Sequence, residues 1–226
     1  MSADTPKDAI RNAATVIVVR RDGDHARILM GQRGKKAAFM PSKFVFPGGA
    51  VDPQDFEVTA AAPLTPVALE KLSARSDAAL APVLPLTAVR ELWEETGLAL
   101  STDGPDAVAA PSEWTTFYTS GFRPNASGLD FVFRAITPPG RPRRFDARFF
   151  MTDAAGIAGD PDDFSGAADE LSHLSWLSID EARKLDLPFI TEVVLAEVEA
   201  RLAQPDPDRP IPFFYTQDGK SFIDRL

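Results

Sequence analysis

A chain of 226 residues with 24 Lys and Arg against 33 Asp and Glu carries a formal net charge of −9, which argues against a general nucleic-acid binder, a class with a high pI and a basic face. With no Cys there is neither a disulfide framework nor a thiolate zinc site, and two His leave little for imidazole ligation. The opening MSADTPKDAIRN lacks an apolar signal core and no run approaches about 18 apolar residues, so a soluble, cytoplasmic protein without membrane contact is expected, with one domain over 1–226.

Ala13 to Arg20 (AATVIVVR) is β-branched and nearly continuous, the pattern of a buried strand. The turn Arg21-Asp22-Gly23-Asp24 leads into a second strand, Ala26 to Arg33, so a hairpin is expected. GKKAAFMPSKFVFPGG reads as a loop that ends in a short strand at Phe44 to Phe46; Gly48 and Gly49 permit close backbone approach. The segment from Phe56 to Leu86 is rich in Ala and Pro. Thr65 and Pro66 suit the cap and first position of a helix that Val67 to Ala81 continues, with Leu69, Leu72 and Leu80 on its apolar side. Pro82 and Pro85 end it, and Thr87 can cap the next helix. The segment reads as a small helical cap beside a site, or equally as the interface of a homodimer.

TAVRELWEETGL, from Thr87 to Leu98, is the most informative helix. Val89, Leu92, Trp93 and Thr96 share one face at i, i+3, i+4 and i+7. Glu91, Glu94 and Glu95 fall opposite, and each like-charge pair at such spacing destabilises an isolated helix by about 0.2–0.5 kcal/mol. Arg90 alone cannot neutralise three carboxylates. A hard divalent cation, Mg²⁺ or Mn²⁺, could; a solvated acidic face is the plain alternative.

Gly97 suits the residue that closes this helix. STDGPDAVAAPS is a loop. Glu113 to Gly121 and Leu129 to Thr137 read as strands paired around the turn from Arg123 to Gly128. Beyond the Pro and Arg segment from Pro138 to Arg144, strands are expected at Phe145 to Met151 and Leu171 to Leu177, and helices at Ile179 to Leu185, capped by Ser178, and at Ile190 to Ala203. A Pro-rich tail carries Phe213, Phe214 and Tyr215. Alternating strands and helices around a mixed sheet make an α/β sandwich.

FPGGAVDPQD, Phe46 to Asp55, followed later by Arg-Glu-Leu-x-Glu-Glu-x-Gly-Leu from Arg90, resembles the signature of the Nudix hydrolases, which cleave a nucleoside diphosphate linked to another group X. The acidic position after the second Gly is present as Asp55. Thirty-four residues, Phe56 to Val89, then stand where the family usually has seven. FMPSKFVFPGG, FRAITPP, RPRRFDARFF and HLSWLSIDEA resemble the branch that includes the peroxisomal coenzyme A diphosphatase, which also carries an insertion inside its box. Against the coenzyme A pattern, Leu29, Met30 and Arg33 fit, whereas Gly31 replaces a Thr, Ala38 a second Arg and Ser42 a Gly.

The resemblance implies an α/β/α sandwich and metal-dependent hydrolysis of a pyrophosphate linkage in a small nucleotide-type substrate, such as a coenzyme A derivative. Glu91 and Glu95 would be the principal metal ligands, with Glu94 helping and the Gly48 carbonyl completing the set. Arg90 would pair with Asp55 or a helix neighbour and orient the helix. The base would be a box glutamate or a later one, for which Glu170 is the best candidate. Arg33, Phe46 and Gly49 are the candidate substrate contacts. Arg141, Arg143 and Arg144 could hold phosphate, but structural salt bridges with the many acids are the favoured reading. A Nudix-fold regulatory module that binds a nucleotide without cleaving it is the alternative.

Overall fold

The computed structural model describes residues 9–23, 25–35, 37, 39–104 and 109–226. Its axis is β1 (Ile10–Asp22), and the reason is in the burial: Val16, Ile17 and Val18 are all fully inaccessible, so both faces need cover and both edges need partners. One edge takes β2 (His25–Arg33), antiparallel across a turn in which Gly23 has φ 58°. β3 (Phe44–Val45) adds to β2, and β4 (Gly48–Ala50) pairs antiparallel with β1, placing Gly48 opposite Thr15.

After α1 (Pro66–Ser73), α2 (Val83–Thr96), β5 (Ala99–Leu100) and α3 (Thr115–Thr119), the chain returns as β6 (Asp130–Ile136) and β7 (Arg144–Asp153). β7 lies parallel to β1 over ten residues. β8 (Ile157–Ala158) pairs with β5, and β9 (Leu171–Ser178) with β2. α4 (Ile179–Ala182), α5 (Phe189–Ala203), β10 (Pro212–Gln217) and β11 (Lys220–Arg225) complete the order β11-β10-β6-β7-β1-β2-β3. Alternate β1 side chains serve opposite layers. Val16 and Val18 pack with Leu84, Val89 and Leu92 of α2; Ile17 and Val19 pack with Val194, Leu195 and Val198 of α5. The result is the expected α/β/α sandwich around a mixed sheet.

Several expectations are corrected. The helix expected over Val67 to Ala81 stops at Ser73: Arg75 turns left-handed (φ 53°), and Arg134 of β6 takes the carbonyls of Ala74 and Arg75 at 3.1 Å each, supplying the partners a longer helix would have given them. Thr65 does cap it, accepting from the Ala68 N–H at 3.3 Å. Thr87 caps nothing. α2 begins at Val83, Pro85 lies in its first turn where a missing N–H costs little, and Thr87 is internal. Glu113 to Gly121 is helical because Trp114, Phe117 and Tyr118 stand at i, i+3 and i+4 and pack together. The helix after Ser178 is only Ile179–Ala182, and the Pro-rich tail is the hairpin β10–β11, turning at Asp218 (φ 50°) and Gly219 (φ 73°).

Candidate functional site

Asp55 lies in a short 3-10 turn, Pro53–Glu57, and is fully buried. It accepts hydrogen bonds from Arg90 Nε (2.8 Å) and Nη2 (3.2 Å), Thr87 Oγ1 (2.7 Å), Trp114 Nε1 (3.0 Å) and its neighbour's amide, Asp52 N–H (3.0 Å). Arg90 also donates to the Ala50 carbonyl (3.1 Å) and Glu94 (2.9 Å), and lies 3.0 Å from Glu91. Both alternatives for Arg90, the upstream acid and the helix neighbours, are therefore occupied at once. Burial alone would lower its pKa, but the Asp55 hydrogen bonds and the charges of Glu91, Asp55 and Glu94 raise it, so it stays cationic. The residues between Asp55 and Arg90 leave and return to one buried contact, which is how the two halves of the split motif meet.

The plain alternative of a solvated acidic face fails for two of the three glutamates. Glu91 is 9% exposed and Glu95 2%. Glu95 Oε2 accepts from Gly48 N–H at 2.8 Å. Glu91 lies against Gly49 so closely that a Cβ there would stand 2.4 Å from its carboxylate oxygens, and a Cβ on Gly48 would stand 2.5 Å from the Ala14 carbonyl oxygen. A Cβ at Gly48 would collide with the β1 backbone, and one at Gly49 would displace the Glu91 carboxylate from its place. Burial, opposed by Arg90 and reinforced by Glu94, pushes Glu91 up to about 7. Burial and then the Glu91 charge push Glu95 well above the usual carboxylate range. Glu94, raised mainly by burial, turns to Arg90 instead. Among the described residues, no three His, Asp or Glu side chains are gathered closely enough to enclose a metal ion as they stand. What converges is a pair of hard oxygen donors, with the cation beside Glu91 already shared with Asp55 and Glu94 and with Arg33 near enough to act on Glu95.

Gly48, Gly49, Arg90 and Glu91 open into a cleft of about 1240 Å³ that Arg33, Phe46 and Glu170 also line. Arg33 and Glu170, side by side where β2 pairs with β9, form an ion pair on one wall of it. The loop that carries Glu170 is fixed to α2: the Ala168 N–H donates to the Glu94 carbonyl at 3.0 Å, and Gly166 packs on Gly97, the helix-closing residue, at φ 76°. Arg141 and Arg143 line the far end of the cleft, while Arg144 donates from Nε to the Thr137 carbonyl at 3.1 Å. The favoured salt-bridge reading of this cluster is not what the structure contains, because no ion pair joins any of the three among the described residues. Ala38 lies outside the described residues. No residue from 53 to 89 lines the cleft; α1 is tied instead to β6 and to the C-terminal hairpin, through Arg134 and through Arg75 with Asp224, so the segment is not a cap over the site. Sequence reasoning missed Trp114 and Thr87 as partners of Asp55; the i, i+3, i+4 aromatics from Trp114 were the available signal for the first.

No family model matches the chain. A crystal structure of a NUDIX hydrolase from Alicyclobacillus acidocaldarius superposes with a TM-score of 0.64 at 27% identity, covering 89% of this chain and 99% of that one. The fold is a Nudix fold. A Caenorhabditis elegans protein assigned as nudix hydrolase 7 is 29% identical over 187 residues, taking in 76% of this chain and 54% of the relative, so this chain spans about half the length of that Nudix protein. The NUDIX domain of Shewanella oneidensis NrtR, crystallised with ADP ribose, shares the Nudix fold at 11% identity and a TM-score of 0.50, covering 89% of this chain and 94% of that one. Together these show a Nudix fold and a likeness to Nudix hydrolases.

Proposed function

We propose that this chain hydrolyses the pyrophosphate linkage of a nucleoside diphosphate joined to a second group X, with Mg²⁺ or Mn²⁺ held by Glu91 and Glu95. The observation that carries this is the burial of those two carboxylates against the diglycine strand, Glu91 bordering the cleft and Glu95 behind it, with less positive than negative charge around them. Their oxygen donors fit a hard divalent ion, which takes its remaining ligands from water and from phosphates; Glu94 and the Gly48 carbonyl are the nearest further donors on the same elements. A bound divalent ion polarises phosphoryl oxygens and lowers the pKa of water.

The chain's own residues supply the rest. Arg90, locked to Asp55, holds the helix so that Glu91 and Glu95 face the glycines. Arg33 at the cleft wall holds a phosphate oxygen bidentately. Glu170 takes the proton from the attacking water as the new P–O bond forms and the bridging P–O bond breaks, releasing a nucleoside monophosphate and phosphorylated X. In the coenzyme A pattern a Thr stands where this chain has Gly31; a Cβ there would meet Leu174 at 2.9 Å and Leu171 at 3.0 Å, so the helix-side packing of β9 favours glycine. Ser42, at a glycine position of that pattern, keeps a left-handed φ of 61°. The departure at Ala38 removes from the sequence a cation that could meet a ribose 3′-phosphate, so dephospho-coenzyme A should be cleaved at least as well as coenzyme A.

The test is a panel of dinucleotides, nucleotide sugars, dinucleoside polyphosphates and coenzyme A esters, assayed with Mg²⁺ and with Mn²⁺ and read by product identity. A nucleoside monophosphate released only in the presence of the metal supports the proposal. A protein that binds no divalent ion at millimolar concentration and cleaves nothing in the panel is a regulatory module instead.

A further inference from the structure

The cleft is polarised along its length. Its acidic lining groups, Asp52, Glu91, Asp169 and Glu170, belong to the diglycine end, where Arg33, Lys43 and Arg90 also stand, each of the three in an ion pair. The other end, built by the β6–β7 connection and the start of β1, presents Arg11, Arg141 and Arg143, all exposed. Among the described residues none of these three makes an ion pair or side-chain hydrogen bond. In a chain with 33 acids against 24 Lys and Arg, three arginines gathered on one cleft without a carboxylate are an uncompensated positive site.

Between the two ends runs a floor of small residues. Along β1, Thr15, Ala13 and Arg11 alternate onto one face and all line the cleft, and Ala13 stands in register with Ala147 of β7 and Ala135 of β6, with Phe145 and Phe149 of β7 beside that path. Ala13 and Ala135 are buried with the core, and their small side chains, with that of Ala147, leave a low trough of sheet beneath the cleft with room for a slender chain. Its length follows from register. Thr15 is opposite Gly48 and Ile10 is opposite Arg144, five residue steps apart, or roughly 16 Å of strand.

We propose that this trough is the subsite for X, and that it selects an unbranched X ending in an anion, a carboxylate or a phosphate, which Arg141 and Arg143 receive with Arg11 beside them. The inference rests on the pyrophosphohydrolase reading, which places the diphosphate at the opposite end. Guanidinium groups suit the role because their planar fork matches the geometry of both anions.

The test uses adenosine diphosphate esterified to a linear linker of roughly 16 Å that ends in a carboxylate, a phosphate or a neutral amide, with the methyl ester as the short control. KM is read with Mg²⁺, and Kd by calorimetry. Wild-type protein should show a KM about tenfold lower for an anionic end than for the amide, the scale of one charge-assisted pair. The Arg141→Gln/Arg143→Gln variant, altered at two exposed positions, should lose that ratio. Whichever of carboxylate and phosphate shows the larger ratio is the anion selected. Ala147→Phe should raise KM for the long compounds relative to the methyl ester; if it fails to fold, Ala147→Val gives the same reading at smaller size. Equal KM for anion and amide in wild type, or a ratio that survives in the double variant, overturns the subsite. If nothing is cleaved, including the methyl ester, the hydrolase reading fails and calorimetry decides: an anion preference in Kd that the double variant loses upholds the subsite, and no preference overturns it.

Discussion

Two buried arginine clusters meet opposite electrostatic problems. Arg90 faces Asp55, Glu91 and Glu94, one positive charge against three negative ones, with Glu95 close by. Arg134 and Arg148 face Asp146, two positive charges against one. The second excess is absorbed by fixed neutral groups: the carbonyls of Ala74, Arg75 and Asp146, Oδ1 of Asn12, Oγ of Ser76 and the ring of Phe213 at 4.3 Å. Burial lowers Arg148 to about 10, and no opening to the cleft relieves it. In the first cluster the Gly48 N–H is the one hydrogen-bond donor to Glu95 among the described residues, and Glu91 borders the cleft. An excess charge sealed among protein dipoles is architecture, whereas one left facing a cleft is a place for an ion to enter.

The sharpest way to break the comparison is to remove the arginine of the negative cluster. Arg90→Met leaves Asp55 buried and charged, and should cost about 3–5 kcal/mol, read as a fall in the urea midpoint. pH probes the same excess without mutation. Glu91 is raised from 4.5 to about 7, mainly by burial, so between those values the folded chain holds a proton that the unfolded chain has lost. Stability in metal-free buffer is therefore greatest below the lower value and falls as pH rises through the upper one, by about 3 kcal/mol for this group, with Glu95 acting in the same direction. Urea midpoints at pH 5 and pH 8.5, with and without Mn²⁺, check this: the drop should shrink when the metal is present.

Glu95→Gln removes one of the paired carboxylates at nearly constant volume. Turnover should fall about 100-fold or more, equivalent to roughly 2.7 kcal/mol of lost transition-state stabilisation, while stability in metal-free buffer holds or rises because like-charge repulsion is relieved. Titration with Mn²⁺ should show weaker binding; a variant with normal turnover removes Glu95 from the metal set. The smallest effect is expected in the positive cluster. Arg148→Met leaves Asp146 paired with Arg134 and loses the bonds to Asn12 and Ser76, for about 1–2 kcal/mol of stability and no change in turnover.

The β1–β2 hairpin, the buried stripe of α2 and the closing Gly97 were legible because local pattern and tertiary packing agree there. Where they diverge, the reading failed. Nothing local marks Glu91 and Glu95 as buried, since the strand that covers them, Gly48–Ala50, is about 40 residues away in the chain. High β-propensity at Trp114, Phe117 and Tyr118 hid a helical spacing that mattered more, because Trp114 had to reach Asp55. The C-terminal hairpin carried a usable signal in Asp218-Gly219 between aromatic runs, masked by the prolines before it. The lack of salt bridges on Arg141 and Arg143 was invisible, because it depends on which acids other strands bring near.

The parallel pairing of β1 with β7 also sets a timetable during synthesis. Phe149 lies 134 residues beyond Thr15, its register partner. At about 5–20 residues per second, a ribosome needs roughly 7–27 s to deliver the second strand after the first. For that interval the nascent hairpin exposes an apolar strand edge built of Val16, Ile17 and Val18, and the glutamate helix emerges before the sheet it must cover is closed. That edge is open to pairing with another chain until β7 arrives, so slowing translation between 100 and 140 should lower soluble yield more than slowing it after 153.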